Sequence, residues 1–473
     1  MRRNGKTGGR FEAIARHGAG LERVMSIGAT TIREVKLSSF GQVPASLWLG
    51  VGLYVFLLFA SSGLLNDSDT YWQIAVGQWI LDRGAMPHVD VYSFSMPGET
   101  WVSSSWLAQV LYAASYDVAG WAGPVVVAAG GIAATFALLV HILERRLPPT
   151  YAVLIALAAV VLSMPHFLAR PHVLAMPLMV AWAHGLMTAS ERRQPPSLWL
   201  LPLIALWANL HGGFVFGLVL AAAFAIDALW NAKPSQRRPL ALRWAAFGLA
   251  ALVACCVTPY GWGSILALIA GALYRGIKLS PPRIALVLGL LHMALSHGRN
   301  LEIFALLLPI VVLTPVSQQL GLQPDRPGRV TFVSAAVLAA ALAISTWTAA
   351  THGTYSPPRN QSPAAAVEAV KAHHLRRVFN DRAFGGYLIW RQMPVFIDGR
   401  AELYGEKFTM AYYDALERND IGRFLGLLEE YNIDGLLLRP GTPTVGLIDH
   451  LGVWRRVYAD DVSVLYVRGG ADR

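Results

Sequence analysis

Long blocks of apolar residues, separated by short segments rich in arginine and lysine, constrain this chain more than any other feature of its sequence. Because an α-helix rises 1.5 Å per residue, about 20 apolar residues cross the ~30 Å hydrocarbon core of a bilayer. Hydrophobic residues fill 55% of the 473 positions and charged residues only 14%, whereas soluble domains carry about 25% charged residues. The pattern predicts a polytopic α-helical membrane protein.

We predict about eleven transmembrane helices within residues 45–350. Two of the runs, 264–273 and 284–295, are short for complete spans, so nine helices is the alternative. The predicted spans are 45–65, 123–143, 151–168, 173–189, 198–210, 214–230, 245–257, 264–273, 284–295, 301–316 and 330–350.

The basic residues predict the orientation of these helices. Residues 1–44 form a basic arm. A removable signal peptide would continue into a short apolar segment and a small-residue cleavage site, and the arm does not, so we expect it to stay in the cytoplasm. Every second loop is also basic, as the positive-inside rule requires of cytoplasmic loops. This orientation explains the net charge of +10, and no nucleic-acid partner is predicted. The residues that mark these loops are Arg145, Arg192, Arg237, Lys278 and Arg326.

The loop 66–120 lies on the opposite, outer face and is acidic. Asp67 and Asp69 follow the first span directly. Neighbouring carboxylates in a partly apolar cleft raise each other's pKa, so one of them can act as a general base. They could also hold a divalent cation. The alternative is structural, because Ser68 or Asp69 before the next helical pattern is a good helix N-cap. The remaining acidic residues of the loop include Asp82, Asp90 and Glu99.

Titratable and cationic residues from separate turns are predicted on the same outer face. A positive cluster opposite carboxylates suits an anionic group such as a phosphate, which arginine binds bidentately. The alternative is an ion-pair network with the acidic loop itself. The predicted substrate-binding residues are Arg170, His172, His211, Tyr260, His297 and Arg299. Amphipathic segments at 71–81 and 105–116 carry Trp72, Trp79, Trp106 and Tyr112, which we predict to be mainly anchors at the membrane surface.

Residues 357–473 have the composition of a soluble domain. Short apolar runs predict strands at 377–381, 395–398, 435–439 and 462–467, with helices at 364–373 and 421–431. We therefore expect a small α/β domain on the outer face. Asp381 and the Asp398-Gly-Arg400 segment fall at the ends of these strands, where α/β sheets bind ligands, although Asp-Gly-Arg is also ordinary turn sequence.

A set of motifs extends over nearly the whole chain from about residue 45. The motifs are Asp67-Ser-Asp-Thr-Tyr-Trp72, Ala169-Arg-Pro-His172, Trp207-Ala-Asn-Leu-His-Gly-Gly213, Pro259-Tyr-Gly261, Arg299-Asn300, Phe384-Gly-Gly-Tyr-Leu-Ile-Trp390 and Ile397-Asp-Gly-Arg-Ala-Glu-Leu-Tyr404. With its first span, acidic outer loop and outer soluble domain, the chain resembles the GT-C glycosyltransferases. In these motifs it resembles more closely a large bacterial group of GT-C-like membrane proteins.

The resemblance implies transfer of a sugar from a polyprenyl-phosphate-linked donor in the membrane lipid to an envelope glycan, lipid or protein, at the periplasmic face of a bacterial inner membrane. It implies that Asp67 or Asp69 activates the acceptor, while Arg170, His211 and Arg299 hold the donor phosphate. The chain lacks the Trp-Trp-Asp motif of oligosaccharyltransferases. The alternative functions are a non-catalytic protein of this fold, a transporter of lipid-linked glycans, or a binding module. A transporter would carry ionisable residues near mid-span. Asp227, His184 and His292 lie within or near the predicted spans, whereas most other candidate residues lie at the outer boundary.

Overall fold

A computed structural model describes residues 43–60, 63–263, 301–319, 324, 330–417 and 420–469. Most of this part of the chain is helical, and a small sheet lies near its C-terminal end. The helices before the sheet are α1 (Ala45–Phe59), α2 (Asp69–Arg83), α3 (Trp106–Ala119), α4 (Ala122–Glu144), α5 (Pro149–Ser163), α6 (Pro171–Arg192), α7 (Leu201–Leu210), α8 (Phe214–Trp230), α9 (Pro234–Cys255), α10 (Leu301–Gln319), α11 (Phe332–His352) and α12 (Ala364–Ala372).

Five of the described helices are long and apolar enough to cross a membrane: 122–144, 149–166, 171–192, 234–255 and 332–352. Four shorter apolar helices accompany them, at 45–59, 198–210, 214–230 and 302–314. The five long helices agree with the prediction of a helical membrane protein. The count of eleven stays a prediction, because the runs 264–273 and 284–295 and almost all of the basic arm lie outside the described residues.

The membrane helices pack around α4. This helix contacts α1, α5 and α6, and α6 in turn packs on α8. The buried positions of α4 include Ala128, Ala129 and Ala133. Such small side chains let helix backbones approach closely, which matters in lipid because the hydrophobic effect does not drive helices together there. Two boundaries differ clearly from the prediction. The first span was predicted at 45–65, but α1 ends at Phe59 and turns follow at 63–65. Helix α9 begins at Pro234, and its first turns include basic residues that were assigned to a loop.

Helices α2 and α3 of the outer loop pack tightly against each other. A side chain at Gly77 of α2 would overlap the carbonyl oxygen of Gln109 in α3, so the two backbones are in contact there. Trp72 and Tyr112, predicted as anchors at the membrane surface, are buried inside the protein instead. Trp106 is half-buried, and its indole N–H donates to Asn209 Oδ1 at 2.8 Å. That prediction was wrong for Trp72 and Tyr112, because these helices bury their aromatic rings against neighbouring protein elements.

The C-terminal domain is a four-stranded mixed sheet covered by helices. Its further elements are β1 (Val378–Asn380), α13 (Arg382–Trp390), α14 (Ala401–Glu417), α15 (Ile421–Glu430), β2 (Gly435–Leu438), α16 (Pro443–Ile448), β3 (Trp454–Ala459) and β4 (Val464–Arg468). The strand order is β1-β2-β4-β3, with β1 parallel to β2 and the other pairs antiparallel.

The predicted strand at 395–398 is not part of this sheet. Its apolar residues instead run beside the outer loop, where Phe94 N–H donates to the carbonyl oxygen of Val395 at 3.0 Å. Val395 N–H donates to the carbonyl oxygen of Tyr92 at 3.1 Å. Since Trp72 and Trp101 of the outer loop also share one apolar cluster with α13 and the sheet, the outer loop and the C-terminal domain are packed together.

Candidate functional site

Asp67 and Arg170 form an ion pair between the chain that follows α1 and the start of α6. Both carboxylate oxygens of Asp67 accept hydrogen bonds from the Arg170 guanidinium, through Nε and, at 2.6 Å, through Nη2. Asp67 Oδ1 also accepts the backbone N–H of Asp69 at 3.2 Å, at the start of α2. The cap predicted for Ser68 or Asp69 therefore comes from Asp67, since the structure gives Ser68 no capping side-chain hydrogen bond.

The local sequence explains the position of Arg170. A residue before proline avoids the helical conformation, and proline favours the first position of a helix. Arg170 is accordingly extended (φ −120°, ψ 158°), and α6 begins at Pro171. The Tyr112 hydroxyl donates to the carbonyl oxygen of Arg170 at 2.9 Å, and Ala169 N–H donates to the carbonyl oxygen of Leu64 at 2.7 Å. The guanidinium is thus held facing the end of the first apolar run.

Asp69 is the second carboxylate bound by Arg170. Its Oδ2 lies 2.8 Å from Arg170 Nη2, and its Oδ1 accepts the indole N–H of Trp72 at 3.1 Å. Burial raises the pKa of Asp69, while the Arg170 charge opposes this rise and the Asp67 charge adds to it. A carboxyl group with a raised pKa is suited to accept a proton.

The C-terminal domain meets Asp69 through two glycines. A side chain at Gly399 would overlap Asp69 Oδ1, and one at Gly386 would overlap the carbonyl oxygen of Ser68. Glycine is needed at both positions because the facing chain approaches the backbone closely. The glycines of the Phe384–Trp390 and Ile397–Tyr404 motifs therefore have a direct role, which is to seat α13 and the Asp398–Arg400 turn on the start of α2.

A cavity of about 850 Å³ lies at this junction. Asp69 and Arg170 line it from the outer loop and α6, and the C-terminal domain contributes two more arginines, Arg382 and Arg439. Arg382 Nε donates to the carbonyl oxygen of Asp398 at 3.2 Å and its Nη1 to the Tyr413 hydroxyl at 3.3 Å. The Arg439 guanidinium is 45% exposed and lies 3.7 Å from Asp381.

Three guanidinium groups line the cavity together with three carboxylates, those of Asp69, Asp381 and Asp461. This arrangement can bind an anion at the arginines and hold a base beside it. Arginine offers several fixed N–H donors to a phosphate or carboxylate. The first turn of α13, at Asp381, Arg382 and Ala383, also lines the cavity, and the N-terminal end of a helix favours negative charge. Asp381 caps this helix by accepting Ala383 N–H at 2.9 Å, and burial raises its pKa.

His172 and His211 lie close to each other but are not among the described residues that line the cavity. Their ring centroids are 6.2 Å apart. His172 Nε2 lies 3.0 Å from the carbonyl oxygen of His166 and 3.7 Å from Glu302 Oε2. His211 Nδ1 accepts the backbone N–H of Gly213 at 3.1 Å. Burial, followed by the charge of Arg170, lowers the pKa of His211 to about 4, so this imidazole is neutral at pH 7.

Tyr260 is also placed away from the cavity. Its hydroxyl donates to the carbonyl oxygen of Pro87 at 2.9 Å, and its ring contacts His88 with centroids 5.4 Å apart. Tyr260 therefore packs on the chain that follows α2, at Pro87 and His88. His297 and Arg299 lie outside the described residues. No group of three or more His, Cys, Asp or Glu residues in the described part of the chain is arranged to hold a metal, and the divalent cation stays a prediction.

A second Asp–Arg–Asp group lies entirely inside the protein. Arg400 contacts Asp398 at 2.7 Å and Asp90 of the outer loop at 2.6 Å, and all three side chains are fully buried. The Tyr404 hydroxyl and Ser93 Oγ donate further hydrogen bonds to these carboxylates. The Asp398–Arg400 segment therefore joins the outer loop to the C-terminal domain, and only Gly399 of this segment borders the cavity.

Sequence reasoning missed Arg382 and Arg439. Arg382 follows Asp381 at the end of β1, and Arg439 follows β2, the parallel neighbour of β1. The carboxyl ends of adjacent parallel strands lie at one edge of a sheet, which is where such sheets bind ligands. Pairing the two predicted strands would have brought both arginines together.

A scan against protein-family models and a search of the curated proteins matched nothing.

Proposed function

We propose that this protein transfers a sugar from a polyprenyl-phosphate-linked donor to an envelope acceptor at the periplasmic face of the inner membrane. The observation that carries the proposal is the cavity in which Asp69 lies beside Arg170, with Arg382 and Arg439 around it. A lipid-linked donor suits a site between membrane helices and an outer domain. Its phosphate suits a cavity lined by guanidinium groups.

Asp69 is assigned as the general base in this reaction. It lines the cavity, whereas the Asp67 carboxylate, buried and held by Arg170, keeps that guanidinium in place. Asp69 takes the proton of an acceptor hydroxyl or amine, and the acceptor atom forms a bond to the anomeric carbon of the donor. The bond from that carbon to the phosphate oxygen breaks, and polyprenyl phosphate leaves. The anomeric carbon of the transferred sugar has the inverted configuration in the product.

The arginines are assigned to the donor phosphate. Negative charge increases on the phosphate as the glycosidic bond breaks, and donors fixed in advance around such a group stabilise the transition state. Arg382 is suited to this role because its described hydrogen-bond partners, two carbonyl oxygens and a tyrosine hydroxyl, leave its positive charge without a carboxylate at bonding distance. Arg439 is exposed at the mouth of the same cavity.

The test is Asp69→Asn in cells whose only copy of the gene carries the change. We expect loss of one envelope glycan and accumulation of a polyprenyl-phosphate sugar, with a rate reduced by about 100-fold or more because general-base catalysis contributes 10²–10⁴. Mass spectrometry of extracted lipids and glycans measures both. Glu99→Gln, an exposed acid of the same loop, is the control. Unchanged glycans at wild-type protein levels would rule out the proposed role of Asp69.

The pH dependence supplies a second readout. A base acts only when it is deprotonated, and burial raises the pKa of Asp69 above its ordinary value of 3.8. The transfer rate is therefore expected to fall as the pH is lowered through this raised pKa, at a higher pH than an exposed aspartate would give. In Arg170→Lys the single ammonium binds the two carboxylates less well, and the midpoint is expected to move upward. A profile that does not change in Arg170→Lys contradicts the assignment.

A further inference from the structure

A second cavity, of about 930 Å³, lies between the outer loop and the C-terminal domain. Residues of α2 line it together with Asp117 of α3 and residues within 91–97 of the outer loop. The end of α13 and the chain that follows it, from Ile389 to Pro394, complete the lining. Asp69 is at the first position of α2 and Trp79 is ten residues further along, so this cavity is about 15 Å from Asp69 along the helix axis.

Two tryptophans, Trp79 and Trp390, are among the lining residues. Trp79 is half-buried, and the Arg83 guanidinium stacks 4.7 Å from its ring centroid. Trp390 is held by surrounding aromatic rings, with centroid distances of 6.0 Å to Trp121 and 5.7 Å to Tyr387. Both indoles therefore have fixed orientations before any ligand arrives, which reduces the entropy that binding would cost.

Planar polar side chains lie beside these rings. Gln78 Nε2 donates to Asp117 Oδ1 at 3.1 Å, and this pair is exposed. The bond leaves the other amide hydrogen, the amide oxygen and the second carboxylate oxygen able to bind hydroxyl groups. Gln392, two residues after the end of α13, adds an exposed amide to the lining.

We propose that this second cavity binds a saccharide. A sugar ring has an apolar face of C–H groups, which packs on an indole, and a rim of hydroxyl groups, which both donate and accept hydrogen bonds. Fixed tryptophans beside amides and a carboxylate match both properties. A phosphate is disfavoured here, because Asp82 and Asp117 offset the charge of Arg83, the one arginine among the described lining residues.

The bound saccharide is assigned to the acceptor of the proposed transfer. This assignment rests on the proposed function, whereas saccharide binding by itself does not. A site about 15 Å from Asp69 along α2 would hold sugars of an acceptor chain beyond the one that reacts. The acceptor would then be a glycan of several residues instead of a single sugar or an amino-acid side chain.

The experiment is a binding titration with full-length protein in lipid nanodiscs, free of sugar-based detergent. The probes are cellotetraose, chitotetraose and mannotriose. Tryptophan fluorescence and saturation-transfer NMR measure their binding. We expect one or more of them to bind, Trp79→Ala to weaken binding at least tenfold, and Gln78→Ala to weaken it less. Trp199→Ala changes an 85%-exposed tryptophan elsewhere and is expected to have no effect.

Failure of all three probes to bind would overturn the proposal. Binding that is unaffected by both Trp79→Ala and Gln78→Ala would overturn it equally, and Gln78→Ala keeps the test valid if the tryptophan variant does not fold. The two proposals fail separately. Saccharide binding with unchanged glycans in Asp69→Asn would contradict only the transferase, whereas altered glycans without saccharide binding would contradict only this second site.

Discussion

Two arginines in this molecule each hold a pair of aspartates, but their surroundings differ. Arg400 and its partners Asp90 and Asp398 are fully buried, and tyrosine and serine hydroxyls complete the network. The Arg170 side chain is 38% exposed, and it shares the border of a cavity with Asp69. The same residue types therefore serve two purposes. The closed group joins the outer loop to the C-terminal domain, and the open group has room for a substrate.

The largest expected effect comes from removing the closed group's cation. Arg400→Met leaves Asp90 and Asp398 buried without a counter-charge, which costs about 3–5 kcal/mol of unfolding free energy. Arg170→Met is expected to cost less, because water in the cavity can solvate part of the exposed charge. Thermal and denaturant unfolding of the purified full-length protein measures both.

The control for this comparison is Arg423→Met. Arg423 is 49% exposed and pairs with Asp414 on the surface of the C-terminal domain, where an ion pair contributes about 0–1 kcal/mol. An equal loss of stability in Arg400→Met and Arg423→Met would show that the buried network does not hold the domain, and the distinction between the two centres would then fail.

The next effect tests the open group without changing any charge. In Gly399→Ala the new methyl group overlaps Asp69 Oδ1 and displaces the carboxylate. A displacement of 1 Å in a reactive group can reduce a rate by about 100-fold, and we expect glycan transfer to fall by that order. Gly426→Ala, in α15 and with open space around it, is the matched control and is expected to leave transfer unchanged. Normal transfer in Gly399→Ala would place Asp69 outside the reaction.

The smallest expected effect concerns Tyr260, which was predicted from the sequence to bind substrate. Tyr260→Phe removes the hydrogen bond to the carbonyl oxygen of Pro87, at a cost of about 0.5–1.5 kcal/mol. Transfer is expected to persist, because this ring contacts the outer loop and not the described lining of the Asp69 cavity. A large loss of transfer with unchanged stability would return Tyr260 to the site.

The parts of the site that could be predicted from the sequence are those set by local rules. Asp67 and Asp69 follow an apolar run, and Arg170 precedes a proline at a helix start, so each could be placed at a helix end on one face of the predicted membrane domain. Their contact also follows from that placement. Arg382 could not be found this way, because its approach to Asp69 depends on how the sheet packs on α2 across more than 300 residues of chain.

The differences in the fold have similar causes. Residues 395–397 are apolar and buried like a strand, but periodicity cannot distinguish pairing in a sheet from packing beside a loop. Strand β3 was missed because Arg455 and Arg456 interrupt its apolar pattern on the exposed face. The buried positions of Trp72 and Tyr112 were missed because an amphipathic helix covered by protein has the same pattern as one lying on a bilayer.

The buried bond between Asp90 and Arg400 also has a consequence for biosynthesis. The two residues are 310 positions apart, so the ribosome has made most of the chain before Asp90 can meet its counter-charge. Until then the outer loop can contact neither Arg400 nor the apolar surface of α13. A truncated or stalled product would carry all the helices up to α11 and yet leave the Asp69 cleft unassembled. The order of synthesis therefore delays assembly of the Asp69 cavity until the C-terminal domain has been made.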